Sequence, residues 1–153
     1  MPMSSYVQRL RDALGSDLLL LPAVVVLPRD PLQRLLLVRH VDTGSWAFLG
    51  GGVEPGETPE LAGVREVAEE IGLEVELGRL LTVVGGQRFE VTYQNGDRVA
   101  YMAAVYEAQV VGGDLQPDGT EVSEAQWFGQ EQLTALDLTR FARNLAEDLR
   151  LAR

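Results

Sequence analysis

Glu57, Arg65, Glu66, Glu69 and Glu70 follow at short, fixed separations on the glycine-rich stretch Gly51-Gly52-Val53-Glu54-Pro55-Gly56. Carboxylates on a helix that opens from a glycine loop are a donor set with which proteins hold a divalent cation against a phosphate chain. Positions three and four apart share a helix face, so a helix here sets Glu66, Glu69 and Glu70 side by side. Leu61, Val64, Val67, Ala68 and Ile71 then fall on the opposite face. The pattern predicts one buried apolar side and one carboxylate stripe, with Arg65 at its edge.

Like charges one turn apart cost about 0.2–0.5 kcal/mol per pair unless something neutralises them. A surface built only for stability would intersperse lysines, and the chain contains none. The missing countercharge fits a bound cation; a solvated acidic face is the plainer alternative. The helix ends are marked: Thr58 suits the N-cap, Pro59 the first helical position, and Gly72 a left-handed stop.

The full spacing is Gly51, five residues, Glu57, seven residues, then Arg65-Glu66-Val67-Ala68-Glu69-Glu70-Ile71-Gly72-Leu73. It resembles the signature G-x5-E-x7-R-E-U-x-E-E-x-G-U (U aliphatic) of the Nudix hydrolase superfamily at every fixed position, and so many constraints at fixed separations are hard to meet by chance. Trp46-Ala47-Phe48-Leu49-Gly50-Gly51 resembles the family's W-x-x-P-G-G lead-in, with Leu49 where proline is usual. That departure touches loop rigidity and removes no chemical group. Glu121-Val122-Ser123-Glu124-Ala125-Gln126-Trp127-Phe128 resembles the acidic loop and Trp-Phe strand that follow the core sheet in many members.

The resemblance implies an α/β fold, an α/β/α sandwich with a mixed β-sheet, and hydrolysis of a phosphoanhydride bond in a nucleoside diphosphate linked to another group. It implies Mg²⁺ as cofactor, with Mn²⁺ able to substitute. Glu69 and Glu70 are the first choice of metal ligands, and Glu66 is either a third ligand or the base that activates water. The Gly51 carbonyl is a further ligand candidate. Glu57 and Arg65 form an expected ion pair that fixes loop to helix and orients the ligands. Glu121 is the expected additional ligand or base, brought in by a mobile loop, with Glu124 as fallback. A non-catalytic nucleotide sensor on the same fold is the alternative, although such domains often lose motif glutamates and this chain keeps all of them.

Composition bounds these readings. At 153 residues and 46% hydrophobic content, the chain fits one domain spanning 1–153, with 1–15 as a helix packing on it and an arm over a dimer partner as the other option. The absence of cysteine excludes a disulfide framework or thiolate zinc site, and a single histidine, His40, excludes a multi-histidine centre. A net charge of −10 argues against a nucleic-acid partner and conflicts with an anionic substrate, a conflict that metal resolves, since an acidic pocket attracts phosphate once loaded with a divalent cation. No targeting segment or membrane span is expected, the longest apolar run, Leu18 to Leu27, being broken by Pro22. The expected location is cytoplasmic, and a homodimer is left open.

The remaining chain reads as strands and turns. Ala23–Leu27, Arg34–His40, Leu80–Val84, Arg88–Tyr93 and Arg98–Tyr106 are strand-like, with a hairpin at Gln94-Asn95-Gly96-Asp97. A loop from Gly112 to Gly119 precedes the Trp127-Phe128 strand, and helices at Gln130–Leu136 and Thr139–Leu151 close the chain. Trp46, Phe48, Phe89, Tyr93 and Tyr101 are candidates to stack on a base, with core packing as the alternative. Side motifs that mark ADP-ribose and dinucleotide-polyphosphate subfamilies are absent.

Overall fold

The computed structural model describes residues 3–151; residues 1 and 2, part of the expected first helix, lie outside that range. In chain order the elements are α1 (Ser5–Leu14), β1 (Leu19–Pro28), β2 (Leu35–His40), β3 (Trp46–Ala47), β4 (Leu49–Gly52), α2 (Pro59–Ile71), β5 (Leu73–Val84), β6 (Glu90–Thr92), β7 (Arg98–Gly113), β8 (Val122–Phe128) and α3 (Arg140–Asp148). Short 3₁₀ turns cover Gln87–Phe89 and Gln130–Ala135.

One sheet has the order β4-β1-β7-β5, with β6 beside β7; a second has the order β3-β2-β8. The β1–β7 pair is parallel and β4, β5 and β6 join antiparallel, so the main sheet is mixed as expected. Val24 and Val26 of β1 enter a core with Leu49, Val67 and Ile71, whereas Val25 and Leu27 enter another with Phe128, Ala142 and Leu145. Helices α2 and α3 thus cover opposite faces, giving the α/β/α layering. Burial on both faces explains why β1 reads as a continuous aliphatic run rather than an alternating one.

Helix α1 starts at Ser4, whose hydroxyl accepts from the Val7 N–H at 3.1 Å. Val7 and Leu10 pack on Leu19, Leu21 and Val99 at the start of β1 and β7. Pro22 does not break β1. Its carbonyl accepts from the Val53 N–H, so its nitrogen faces the edge just before pairing with β4 begins at Ala23, where no donor is needed.

Several element boundaries differ from the sequence expectation: β1 begins at Leu19 rather than Ala23, β8 at Val122 rather than Trp127, and Arg88 and Phe89 lie in a 3₁₀ turn, which leaves Glu90–Thr92 of the expected Arg88–Tyr93 strand. β5 and β7 run far longer than the strands read in them, their register shifting at Glu74/Val75, Leu77/Leu80 and Leu80/Thr82. Each shift disturbs the two-residue alternation by which a strand is recognised. The glycine segment before the helix is not simply a loop, because Leu49–Gly52 pairs with β1 as an edge strand. The Asn95-Gly96 hairpin forms where expected, with Gly96 at φ 91°. Among the described residues no helix is long and apolar enough to cross a membrane.

Candidate active site

Helix α2 begins and ends as its sequence dictates. The Thr58 hydroxyl accepts from the Leu61 N–H at 3.1 Å, and Gly72 closes the helix at φ 74° with its N–H on the Ala68 carbonyl. Its orientation differs from the sequence expectation. Leu61 is 61% exposed, and Val64 and Ala68 also face outward, whereas Glu66 and Glu70 are only 1% and 3% exposed.

The buried stripe is Ala62, Gly63, Glu66, Val67, Glu70 and Ile71, two adjacent rows at four-residue spacing. Close approach to the sheet selects it. A Cβ at Gly63 would stand 3.0 Å from Val26 Cγ2 and 3.3 Å from Leu77 Cδ1, so the missing side chain lets the helix settle onto β1 and β5. Glu66 and Glu70 are thereby buried, while Glu69 keeps 57% of its side chain exposed. The three glutamates share no single solvent-facing stripe.

β4 supplies the other wall. The Gly50 N–H donates to Glu70 Oε1 at 3.1 Å, and the Gly52 carbonyl accepts from Arg65 Nη2 at 3.0 Å. Backbone groups of alternate residues point to the same edge, so Gly50 and Gly52 face α2 while Gly51, paired with Val24, faces β1. Gly50 is also the glycine that sterics demand: at φ 151° a Cβ there would lie 2.1 Å from the Val24 carbonyl oxygen.

Arg65 joins the loop to the helix. Its Nε and Nη2 donate to the two Glu57 carboxylate oxygens at 2.8 and 2.9 Å, a bidentate pair, and its Nη1 donates to Glu66 at 3.0 Å and Glu69 at 3.3 Å. Glu57 in turn accepts from the Glu54 N–H at 3.0 Å, closing the turn between them. The expected ion pair is present, and one guanidinium touches three carboxylates and a backbone carbonyl.

The electrostatics follow from burial. Hydrogen bonds from Arg65 hold the Glu57 carboxyl below its ordinary range. Burial pushes Glu66 up to about 7 despite Arg65, and pushes Glu70 up to about 8 with the neighbouring Glu66 charge adding to it. Among the described residues no three Asp, Glu, His or Cys side chains are gathered into a ready cation cage. The chemistry of the donors nevertheless fits a divalent cation: carboxylate oxygens, two of them buried where unneutralised charge is costly, beside a strand edge that offers backbone oxygen.

The outlying candidates separate. Glu124 is exposed on β8 and paired with Arg39 at 3.3 Å. Glu121 precedes β8 with its backbone held at both ends, its N–H on Asp118 Oδ1 at 3.0 Å and its carbonyl accepting from the Val41 N–H at 2.8 Å. The segment expected to be a mobile loop is tied to α2: Gln116 and Asp118 donate their N–H groups to the carbonyls of Ile71 and Glu70 at 2.8 and 3.0 Å. Asp118 is a site-adjacent residue that sequence reasoning misses, its one signal being the turn dipeptide Asp118-Gly119. Of the stacking candidates, Phe48 and Phe89 are core residues and Trp46 packs edge-on against Phe128 at 4.9 Å; Tyr93 is 40% exposed.

Residues 19–149 match the family model described as NUDIX domain. A 111-residue stretch is 33% identical to the NAD-capped RNA hydrolase NudC of Pseudomonas fluorescens, covering 72% of this chain and 37% of that protein. A MutT-like protein of Streptomyces ambofaciens is 33% identical over 101 residues, 66% of this chain and 58% of its own. The chain spans between 36% and 61% of the length of the curated relatives it matches. Among solved structures, the MutT protein of Methanosarcina mazei Go1 superposes with a TM-score of 0.71 at 24% identity, over 88% of this chain and 95% of that one.

Proposed function

The chain belongs to the NUDIX family, and from that premise we propose that it is a metal-dependent hydrolase cleaving the phosphoanhydride bond of a nucleoside diphosphate linked to a further group. The observation that carries this reading is the burial of Glu66 and Glu70 on the α2 stripe that faces β4, with Arg65 as the cation bound to Glu66 and a backbone N–H bound to Glu70. Two buried carboxylates raised by burial are a cost to the fold unless a cation repays it. A relative acting on NAD-capped RNA, by its name, is consistent with a pyrophosphate target.

In this reading Glu69 and Glu70 would hold Mg²⁺, or Mn²⁺ in its place, together with the Gly50 carbonyl on the edge facing α2 rather than the Gly51 carbonyl expected from the motif. When bound, the ion would supply charge neutralisation on the phosphate oxygens and a lowered pKa for the attacking water. Glu66 or Glu121 accepts the proton of that water at a carboxylate oxygen, and Glu66 is held in position by Arg65 Nη1. Arg65 and Glu57 clamp the Glu54–Glu57 turn so that the reacting groups meet in a fixed geometry.

We also read residues 1–153 as one such domain, with α1 as its accessory helix. The substrate is a small molecule rather than RNA, since a net charge of −10 opposes a nucleic-acid backbone. A chain without cysteine suits the cytoplasm.

The test is a panel of ADP-ribose, UDP-sugars, NAD, dinucleotide polyphosphates, (d)NTPs and NAD-capped RNA, each with Mg²⁺ and with Mn²⁺. Paired release of a nucleoside monophosphate and a phosphorylated remainder is the expected result. No turnover of any member with either metal would overturn the reading, and turnover of capped RNA well above free NAD would overturn its small-molecule part.

A further inference from the structure

Segment 114–121 crosses from the end of β7 to the start of β8 over the C-terminal end of α2. The last carbonyls of a helix lack intrahelical donors, and here the segment supplies them: Gln116 N–H on Ile71, Asp118 N–H on Glu70. The Asp118 carboxylate then turns forward. A single oxygen, Oδ1, accepts from the N–H groups of Thr120, Glu121 and Val122, each at 3.0 Å. One residue therefore grips the backbone of Glu70 with its main chain and the backbone of Glu121 with its side chain.

We propose that Asp118 is a positioning residue, the link that sets Glu121 at a fixed place relative to the Glu70 end of α2. The proposal rests on the reading of Glu121 as part of the site. Two backbone anchors hold Glu121, Asp118 Oδ1 at its N–H and the Val41 N–H at its carbonyl. A carboxylate accepting three backbone donors is a strong, charge-assisted grip. Release of that grip removes one of the two backbone anchors of Glu121, while the Asp118 N–H still holds the Glu70 carbonyl. The loop acts as a strut between the end of α2 and the start of β8.

The experiment compares Asp118→Ala, Asp118→Asn, Glu121→Gln and the Asp118→Ala/Glu121→Gln pair, on the best substrate with Mg²⁺, alongside amide exchange and Mn²⁺ binding to the free protein. Asp118→Ala should lower kcat at least about tenfold with KM within about threefold, since the lost geometry acts on the reacting state. The Thr120 to Val122 amides should exchange faster while those of α2 do not. Asp118→Asn, which keeps an acceptor at Oδ1, should recover most of the rate. The pair should be no slower than Glu121→Gln alone, as expected of groups acting as one unit.

Full activity in Asp118→Ala with a crippled Glu121→Gln overturns the proposal and leaves the Glu121 reading intact. A wild-type rate in Glu121→Gln removes that reading and the proposal with it. Additive losses in the pair also overturn it, because they make Asp118 a general stability residue. If Asp118→Ala does not fold, Asp118→Glu, which keeps the charge and displaces the oxygen, takes its place in the same comparisons.

Discussion

Gly50 and Glu70 are joined by a hydrogen bond of 3.1 Å from backbone N–H to carboxylate, and this contact fastens the edge strand to the C-terminal half of the helix. Glu70 is 3% exposed, so the strand edge supplies the donor that solvent does not. Twenty residues apart in sequence, the two form the wall against which the other site groups are arranged.

Metal dependence is the broadest expectation. Turnover of any substrate should vanish in excess EDTA and return with Mg²⁺ or Mn²⁺, and either ion should raise the Tm by mass action. Undiminished turnover in chelator would exclude the proposed chemistry.

Glu70→Gln and Glu69→Gln should each lower kcat at least about a hundredfold, the scale seen when a positioned catalytic group is lost. Their effects on the metal-free fold should differ. Glu70→Gln removes a buried charge and should raise the Tm near pH 8, whereas Glu69→Gln, half-exposed, should change it little. Equal Tm changes in the two variants, or retained activity, would contradict the assignment.

The metal-free protein should lose stability as pH rises. Glu66 and Glu70 titrate at about 7 and about 8 when folded, from an ordinary value of 4.5. Between those values the folded chain holds protons that the unfolded chain has released, so unfolding gains with each increment of pH. That contribution is complete below about pH 4.5 and is lost as pH passes 8. Glu57, whose range is lowered, acts with the opposite sign but only below 4.5. Thermal melts from pH 5 to 8 should fall in EDTA and flatten in Glu70→Gln; a rising curve in EDTA would refute the linkage.

Gly50→Ala places its Cβ 2.1 Å from the Val24 carbonyl oxygen at φ 151° and must displace the backbone. A loss of roughly 2 kcal/mol or more is expected, of the order of a strained backbone position with a clash. At Gly52 an added Cβ meets nothing within 4 Å, and Gly52→Ala should cost well under half as much. Denaturant midpoints of the two variants check the contrast.

Legibility from sequence followed the range of the interactions. Thr58, Pro59, Gly72 and the Asn95-Gly96 turn were readable because each acts on neighbours within a few residues. The Glu57–Arg65 pair was readable through the motif. Which side of α2 is buried was not, because Leu61 and Val64 advertise an apolar face while the fit of Gly63 on Val26 and Leu77 decides the matter from outside the helix. β4 was hidden for a related reason: three successive glycines carry little strand propensity, and their pairing with Val24 and Val25 is set by a partner far away in sequence. The role of Asp118 is not legible in the sequence because its partners are backbone groups, which leave no mark on residue type.

Gly63 carries no functional group, yet it governs how deep the acidic groups lie. With a methyl group at that position, Val26 and Leu77 would have to yield by a few tenths of an ångström or the helix would lift from the sheet. Lifting would raise Glu66 and Glu70 toward water together, lowering both their proton affinity and their hunger for a cation. Two chains with identical charged residues could therefore differ in the metal concentration and acidity at which they work, tuned from beneath by a residue that never meets substrate.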